Sequence, residues 1–201
     1  QFYSDTFGQP PAGMWPAEGA VAQQIVNMVG NAGIQWMATD EEVLARSLGQ
    51  SGFARNAEET VLDADALYRP YIASTPNNQV YTVFRDKVLS DKVGFTYSGT
   101  PGKEAARDFV DRLLAIRQQL NDQAVDGLRP SQGPHLVSVI LDGENAWENY
   151  DNDGKEFLNE VYRLLEEEAA AGTIQTITPS AFIEQFPDQP ALDSLWAGSW
   201  V

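Results

Sequence analysis

Ile34-Gln35-Trp36-Met37-Ala38-Thr39-Asp40-Glu41-Glu42 carries the reading of the fold, because a short apolar run passes directly into a helix-start signal. Ile34 to Ala38 reads as a buried strand. Thr39-Asp40-Glu41-Glu42 fits a capping box, with Thr39 at the N-cap and a glutamate three residues on, opening a short helix that stops near Gly49. Upstream, after the Pro10-Pro11-Ala12-Gly13 turn, Val21, Ile25, Met28 and Val29 fall at i, i+4, i+7 and i+8, the apolar face of a helix ended by Gly30 and Gly33.

Strand and helix signals keep alternating downstream. Leu62 to Tyr71 is read as a helix ahead of the Thr75-Pro76-Asn77-Asn78 turn, and Val80 to Phe84 as a strand. Val93 to Tyr97 is predicted as a second short strand. From Gly102 runs a long helix with Ala106, Phe109, Val110, Leu113 and Leu120 on one side and the Asp108/Arg112 pair on the wet side. The loop from Gly127 to Pro134 leads to the clearest strand, His135 to Leu141. A last helix, Lys155 to Ala171, turns Phe157, Val161, Leu164 and Leu165 inward, and Ile174 to Ile177 closes as a strand. This order predicts an α/β protein with parallel strands. No internal repeat or linker divides it, so the 201 residues are expected to form one domain or part of one.

Composition narrows the function. With 29 Asp+Glu against 13 Lys+Arg, the formal net charge of −16 argues against nucleic acid and against an anionic membrane surface as partners. The longest apolar runs fall far short of the roughly 20 residues that span a bilayer. Zero cysteines exclude disulfides, iron–sulfur clusters, thiolate nucleophiles and Cys-based zinc sites, and one histidine, His135, excludes a His-x-x-x-His pair. Carboxylates remain, beside 5 Trp, 7 Tyr and 9 Phe, an inventory that suits acid chemistry on a neutral polar ligand such as a sugar. No cofactor and no metal is expected. High acidity without cysteine suits a secreted enzyme and suits a cytoplasmic one too.

In parallel α/β folds functional residues collect where strands end. The residues just after the predicted strands are Asp40, Arg85-Asp86 and Asp142-Gly143-Glu144, while Glu18 lies in the Trp15-Pro16-Ala17-Glu18-Gly19 turn. A carboxylate at the mouth of a buried strand sheds water, and a desolvated acid holds its proton, which suits Asp142 to proton donation. The alternative is that Asp142 is a turn residue before Gly143, and that Glu18 is a first-turn glutamate favoured by the helix dipole. Trp15 and Trp147 are candidate stacking surfaces for a sugar ring, whereas Trp36, inside a predicted strand, reads as core. Asp40, Arg85 and Asp86 are candidates for holding sugar hydroxyls, with a structural Arg85–Asp86 ion pair as the alternative. Asp91 and Glu144 are candidates for supporting the site from behind. Glu166-Glu167-Glu168 reads as a solvated helix face. Asp151-Asn152-Asp153-Gly154 looks like the start of a calcium loop but has Tyr162 where the loop needs glutamate, so it is read as the turn capping the last long helix.

Two segments, Gly13-Met14-Trp15-Pro16-Ala17-Glu18-Gly19-Ala20-Val21 and Leu141-Asp142-Gly143-Glu144-Asn145-Ala146-Trp147, resemble the third and fourth signature regions of glycoside hydrolase family 57. Phe84-Arg85-Asp86, Leu89 to Phe95 and the closing Ala197-Gly198-Ser199-Trp200 resemble its amylopullulanase or α-amylase type, in the expected order. The resemblance implies part of an incomplete (β/α)7 barrel and a retaining enzyme acting on α-glucans such as starch, pullulan or maltooligosaccharides. It implies Glu18 as nucleophile and Asp142 as general acid/base, two carboxyl groups that retention sets roughly 5–5.5 Å apart. The family's first two signature regions are not matched here, and the helical region after the barrel is absent. The chain is therefore expected to be a catalytic-domain fragment that partners the remainder of its own domain and exposes a barrel edge when alone. Transglycosylation (glucanotransferase or branching activity) and a carbohydrate-binding barrel without activity are the alternatives to hydrolysis.

Overall fold

Two strands, β2 (Trp36–Asp40) and β4 (Gln79–Arg85), lie side by side and parallel, with Asp40 directly opposite Arg85 in the register. The computed structural model describes residues 1–125, 133–143 and 147–201, and its contacts divide the chain into two compact units. The first comprises residues 1–53, 67–85 and 178–201; the second comprises 54–66 and 86–177.

The first unit is built on a four-stranded open sheet, β1-β2-β4-β3 in spatial order, where β1 is Gly13–Met14 and β3 is Tyr71–Ser74. The three strands β1, β2 and β4 are parallel, as expected. β3 corrects the all-parallel expectation: it pairs antiparallel with β4 through the Thr75–Asn78 turn, whose Thr75 N–H bonds the Asn78 carbonyl at 2.8 Å. A tight turn of this length returns the chain as a hairpin, which leaves no room for a crossover helix. The outer edge of β3 is covered, since Ile72 bonds Pro190 and Leu192 through its N–H and carbonyl. β2 and the end of β4 are buried on both sides, the condition of an inner strand in an α/β sheet.

Helices α2 (Gln23–Asn31) and α3 (Glu41–Ser47) pack on this sheet. On α2 the inward residues are Val26 and Val29, while Met28 is 62 % exposed and Val21 lies before the helix in an isolated bridge to Gly198, so the predicted face is rotated. Asp40, not Thr39, caps α3: its Oδ1 accepts from the Glu42 N–H at 2.9 Å, and Thr39 stays in β2. The unit also holds an N-terminal helix, α1 (Phe2–Phe7), absent from the sequence reading. The predicted helix from Leu62 to Tyr71 is reduced to one turn, α4 (Ala64–Leu67), because Tyr71 already opens β3. Trp36 is half-buried, lying so close over Gly13 that a Cβ there would sit 1.9 Å from the indole; its Nε1 donates to Ser180 Oγ of a further helix at 2.9 Å.

In the second unit, helix α5 (Lys87–Asp91) runs into a π-helical turn at Lys92–Thr96 and a 3₁₀ turn at Tyr97–Gly99. The strand predicted at Val93 to Tyr97 is therefore helical; β-branched and aromatic residues describe burial of Val93 and Tyr97, not extension. The long helices α6 (Gly102–Val125) and α7 (Lys155–Ala170) form as the sequence predicts and pack on each other, with Phe109, Val110, Phe157, Val161 and Leu164 buried. The turn Asp151–Gly154 does precede α7, and Gly154, at φ 70°, is its N-cap. The helix α8 (Pro179–Gln185), capped by Thr178, belongs to the first unit.

His135 to Leu141 and Ile174 to Ile177 are extended but join no strand ladder among the described residues. The first is held by single bonds, Asp86 N–H to the Ser138 carbonyl and Ile140 N–H to Ser90 Oγ. Both line a cavity of about 450 Å³ against Phe109, Leu113 and Leu165. Both runs are at most half-buried, and an apolar run becomes a strand only where a neighbouring backbone pairs with it.

A polar cluster ties this unit together. Arg112 Nε pairs with Asp108 Oδ2 at 2.8 Å, Tyr97 Oη donates to the same carboxylate, and Arg112 and Lys92 both meet Glu59 Oε2. Burial pushes the Asp108 carboxyl up, but the hydrogen bonds from Arg112 and Tyr97 outweigh it and hold the group below the ordinary aspartate range. A carboxyl depressed in the folded state contributes stability above its unfolded value near 4, and that contribution is lost as pH falls through the lower folded value. Urea midpoints followed from pH 6 to pH 2 should therefore drop below about pH 4, and Asp108→Asn should flatten part of that acid limb; an unchanged slope would show that Asp108 is not the linked group.

Candidate active site around Glu18

Glu18 occupies a 3₁₀ turn, Ala17–Gly19, with left-handed backbone at φ 56°, ψ 22°. A residue with a Cβ pays roughly 1–3 kcal/mol there, and such strain persists only where the surroundings over-determine it. The surroundings are visible. Gly19, itself at φ 60°, lies under Trp15 so closely that a Cβ would stand 2.5 Å from the indole. Its carbonyl accepts from the buried Thr39 Oγ1 of β2 at 2.6 Å, which fastens the turn to the sheet.

The chain's last residues return to this turn. Val21 and Gly198 exchange both backbone hydrogen bonds, at 2.9 and 3.0 Å, and Trp200 N–H reaches the Glu18 carbonyl at 3.3 Å. The Trp200 side chain then donates from Nε1 to Glu18 Oε2 at 2.7 Å. Its ring meets Trp15 edge-on, centroids 4.8 Å apart, and the Arg85 guanidinium carbon lies 5.0 Å from its centroid. Arg85 Nε in turn stands 3.4 Å from Asp40 Oδ2. The result is a continuous chain of contacts from a buried ion pair, through an indole, to an exposed carboxylate. Chemically, it holds a carboxylate by one oxygen beside two aromatic rings.

Asp40 and Arg85, expected at sugar hydroxyls, are 1 % and 5 % exposed; their charged groups face each other, and the Arg85 guanidinium also lies against the Trp200 ring. The alternative of an Arg85–Asp86 ion pair gives way to two separate ones, because consecutive residues leave a strand end in opposite directions. Asp86, also 1 % exposed, caps α5 through the Leu89 N–H at 2.9 Å and pairs with Arg55 at 3.3 Å.

In the second unit, Asp142 is half-buried after the extended His135–Leu141 segment, where Leu141 packs against Gly94 of the π turn. Asp91 is the half-buried last residue of α5. Trp147 meets Tyr150 edge-on and Phe157 at a tilt, ring centroids 5.5 and 6.4 Å apart, and leans on Gly154. The Tyr150 hydroxyl, donating to the Val93 carbonyl, is pushed up to about 12 by burial. Trp147 is thus seated in an aromatic cluster. Glu144 lies outside the described residues. His135 Nε2 contacts Asp65 Oδ1 at 2.9 Å. Among the described residues no three or more His, Cys, Asp or Glu converge as metal ligands, and no helix is long and apolar enough to cross a membrane.

The site residue that sequence reading passed over is Trp200. Its signal was present in the closing Ala197-Gly198-Ser199-Trp200 motif, but nothing in the spacing of residues 18 and 200 announces a contact.

The sequence model of the family described as Glycosyl hydrolase family 57 matches residues 1–193. The chain belongs to that family. Among curated proteins no match is found. Its fold is similar to three solved structures of low sequence identity: a GH57-type branching enzyme from the hyperthermophilic archaeon Pyrococcus horikoshii (TM-score 0.69, 16 % identity), the α-amylase AmyC from Thermotoga maritima (0.64, 16 %) and the 4-α-glucanotransferase from Thermococcus litoralis (0.59, 17 %). Each likeness covers 99 % of this chain, but only 42 %, 45 % and 24 % of those chains respectively, so this chain spans less than half the length of each.

Asp40→Ala is expected to destabilise the fold by about 3–5 kcal/mol, since it leaves Arg85 buried and removes the α3 cap; chemical denaturation reads this, and a loss under about 1 kcal/mol would show that Arg85 is satisfied without Asp40.

Proposed function

We propose that this family 57 chain carries the two catalytic carboxylates of a retaining α-glucan-active enzyme, with Glu18 as nucleophile and Asp142 as general acid/base. The observation that carries the reading is Glu18 itself: a glutamate on strained left-handed backbone, its carboxylate gripped at 2.7 Å by Nε1 of Trp200, whose ring meets Trp15. Strain of this kind gathers at working residues. The aromatic rings offer apolar faces of the sort that pyranose C–H groups cover.

In this mechanism a Glu18 oxygen attacks the anomeric carbon while the glycosidic C–O bond breaks, and Asp142 gives its proton to the departing oxygen. The Asp142 carboxylate then takes a proton from an incoming hydroxyl. That hydroxyl oxygen bonds to the anomeric carbon as the Glu18 ester bond breaks, which restores the configuration. Water as acceptor gives hydrolysis of starch, pullulan or maltooligosaccharides; a sugar hydroxyl gives a glucanotransferase or branching enzyme. The amylopullulanase-like motifs around Arg85 and Leu89 favour hydrolysis. Asp40 and Arg85, candidates for sugar hydroxyls by sequence, act instead behind Glu18 through the Trp200 ring, and Trp15 is the candidate stacking surface beside it.

The full-length protein assayed on maltooligosaccharides should release shorter products, whereas longer or branched products would replace hydrolysis by transfer. Glu18→Gln should abolish turnover, and Asp142→Asn should lower it roughly 10²–10⁴-fold with less effect on a substrate whose leaving group needs no proton. Full turnover in either variant would remove that residue's role, and sugar binding without turnover in the parent would leave a carbohydrate-binding protein.

A further inference from the structure

We propose that Trp200 is a positioning residue for the Glu18 nucleophile, its indole N–H fixing Oε2 so that the other carboxylate oxygen is presented to the anomeric carbon. This rests on Glu18 being the nucleophile. Trp200 grips Glu18 at both ends, by backbone N–H to the Glu18 carbonyl at 3.3 Å and by Nε1 to the carboxylate at 2.7 Å. Among the described residues, Trp200 Nε1 is the donor to that carboxylate. Without it, a glutamate side chain has three torsions to sample, and misplacing a reacting atom by about 1 Å costs on the order of 10²-fold in rate.

The indole is itself immobilised. The Val21–Gly198 bridge sets its backbone, Trp15 meets its edge, and Arg85 lies against its ring, held there by Asp40. A cation over the ring also draws electron density from the indole, which strengthens its N–H as a donor. A ring used only to stack on sugar would need a free face and no aimed N–H. Here the arginine covers ring surface and the N–H is aimed at Glu18.

The test separates an effect through Glu18 from an effect on the sugar or the fold. In the full-length protein, Trp200 is replaced by Phe and, to remove the N–H alone, by 3-benzothienylalanine, in which sulfur stands for the N–H group. Each is measured with α-maltosyl fluoride in the natural background and in Glu18→Gly supplied with azide. In the rescued reaction azide nitrogen bonds to the anomeric carbon as the C–F bond breaks, and β-maltosyl azide and fluoride leave. With Glu18 present, both Trp200 variants should lower kcat about 10–100-fold and change KM less than about threefold. In the azide-rescued background the same changes should alter the rate less than about twofold, since no carboxylate remains to position. Equal losses in both backgrounds, or no loss with Glu18 present, would overturn the proposal while leaving Glu18 as nucleophile. Glu18→Gly that turns over without azide would overturn the nucleophile assignment, and this proposal with it.

Discussion

The Asp40–Arg85 ion pair is the fixed point of the first unit. Parallel pairing of β2 with β4 sets these two residues opposite each other at the strand ends, and burial keeps them there. Asp40 spends its other oxygen on the cap of α3, so one side chain joins the strand, the helix after it and the neighbouring strand. A buried ion pair adds little net stability, because desolvation offsets most of the attraction, yet losing one member is severe. Its contribution is therefore one of place. It holds the guanidinium against the Trp200 ring, and Trp200 holds Glu18.

The strain at Glu18 follows from the same arrangement. Three restraints reach the turn from separate parts of the chain: Thr39 from β2, Trp15 over Gly19, and the returning residues 198–200. Together they supply the free energy that left-handed backbone requires, and the carboxylate is left exposed with one oxygen tethered. The second unit works by other means. Edge-on and tilted ring contacts among Trp147, Tyr150 and Phe157, with the Arg112–Asp108–Tyr97 cluster, hold that unit together.

Much of this was legible in the residues. The apolar runs of β2 and β4, the stripes of α6 and α7, and the capping signal near Asp40 are local patterns, and each became the element expected. Val93–Tyr97, His135–Leu141 and Ile174–Ile177 carry the same kind of run and did not become ladder strands. Val93 and Tyr97 are buried within helical turns and the other two runs are at most half-buried, so apolar composition alone does not select extension with a partner. The antiparallel β3 was hidden behind an apparent helix, because its four residues, Tyr71 to Ser74, are too few to show a period. Glu18 and Asp142 stood out by their turns and by family likeness. The Trp200 contact did not, since 182 residues separate it from Glu18.

What the sequence determined by itself is the apolar runs of β2 and β4, the long helices α6 and α7, and the family likeness, because periodicity and motifs are short-range properties. What only the tertiary structure decided is which charges meet. Arg85 went to Asp40 and Asp86 to Arg55, and an indole at the far end of the chain reached Glu18. Register and chain return set those distances, and neither is written in any local stretch of residues.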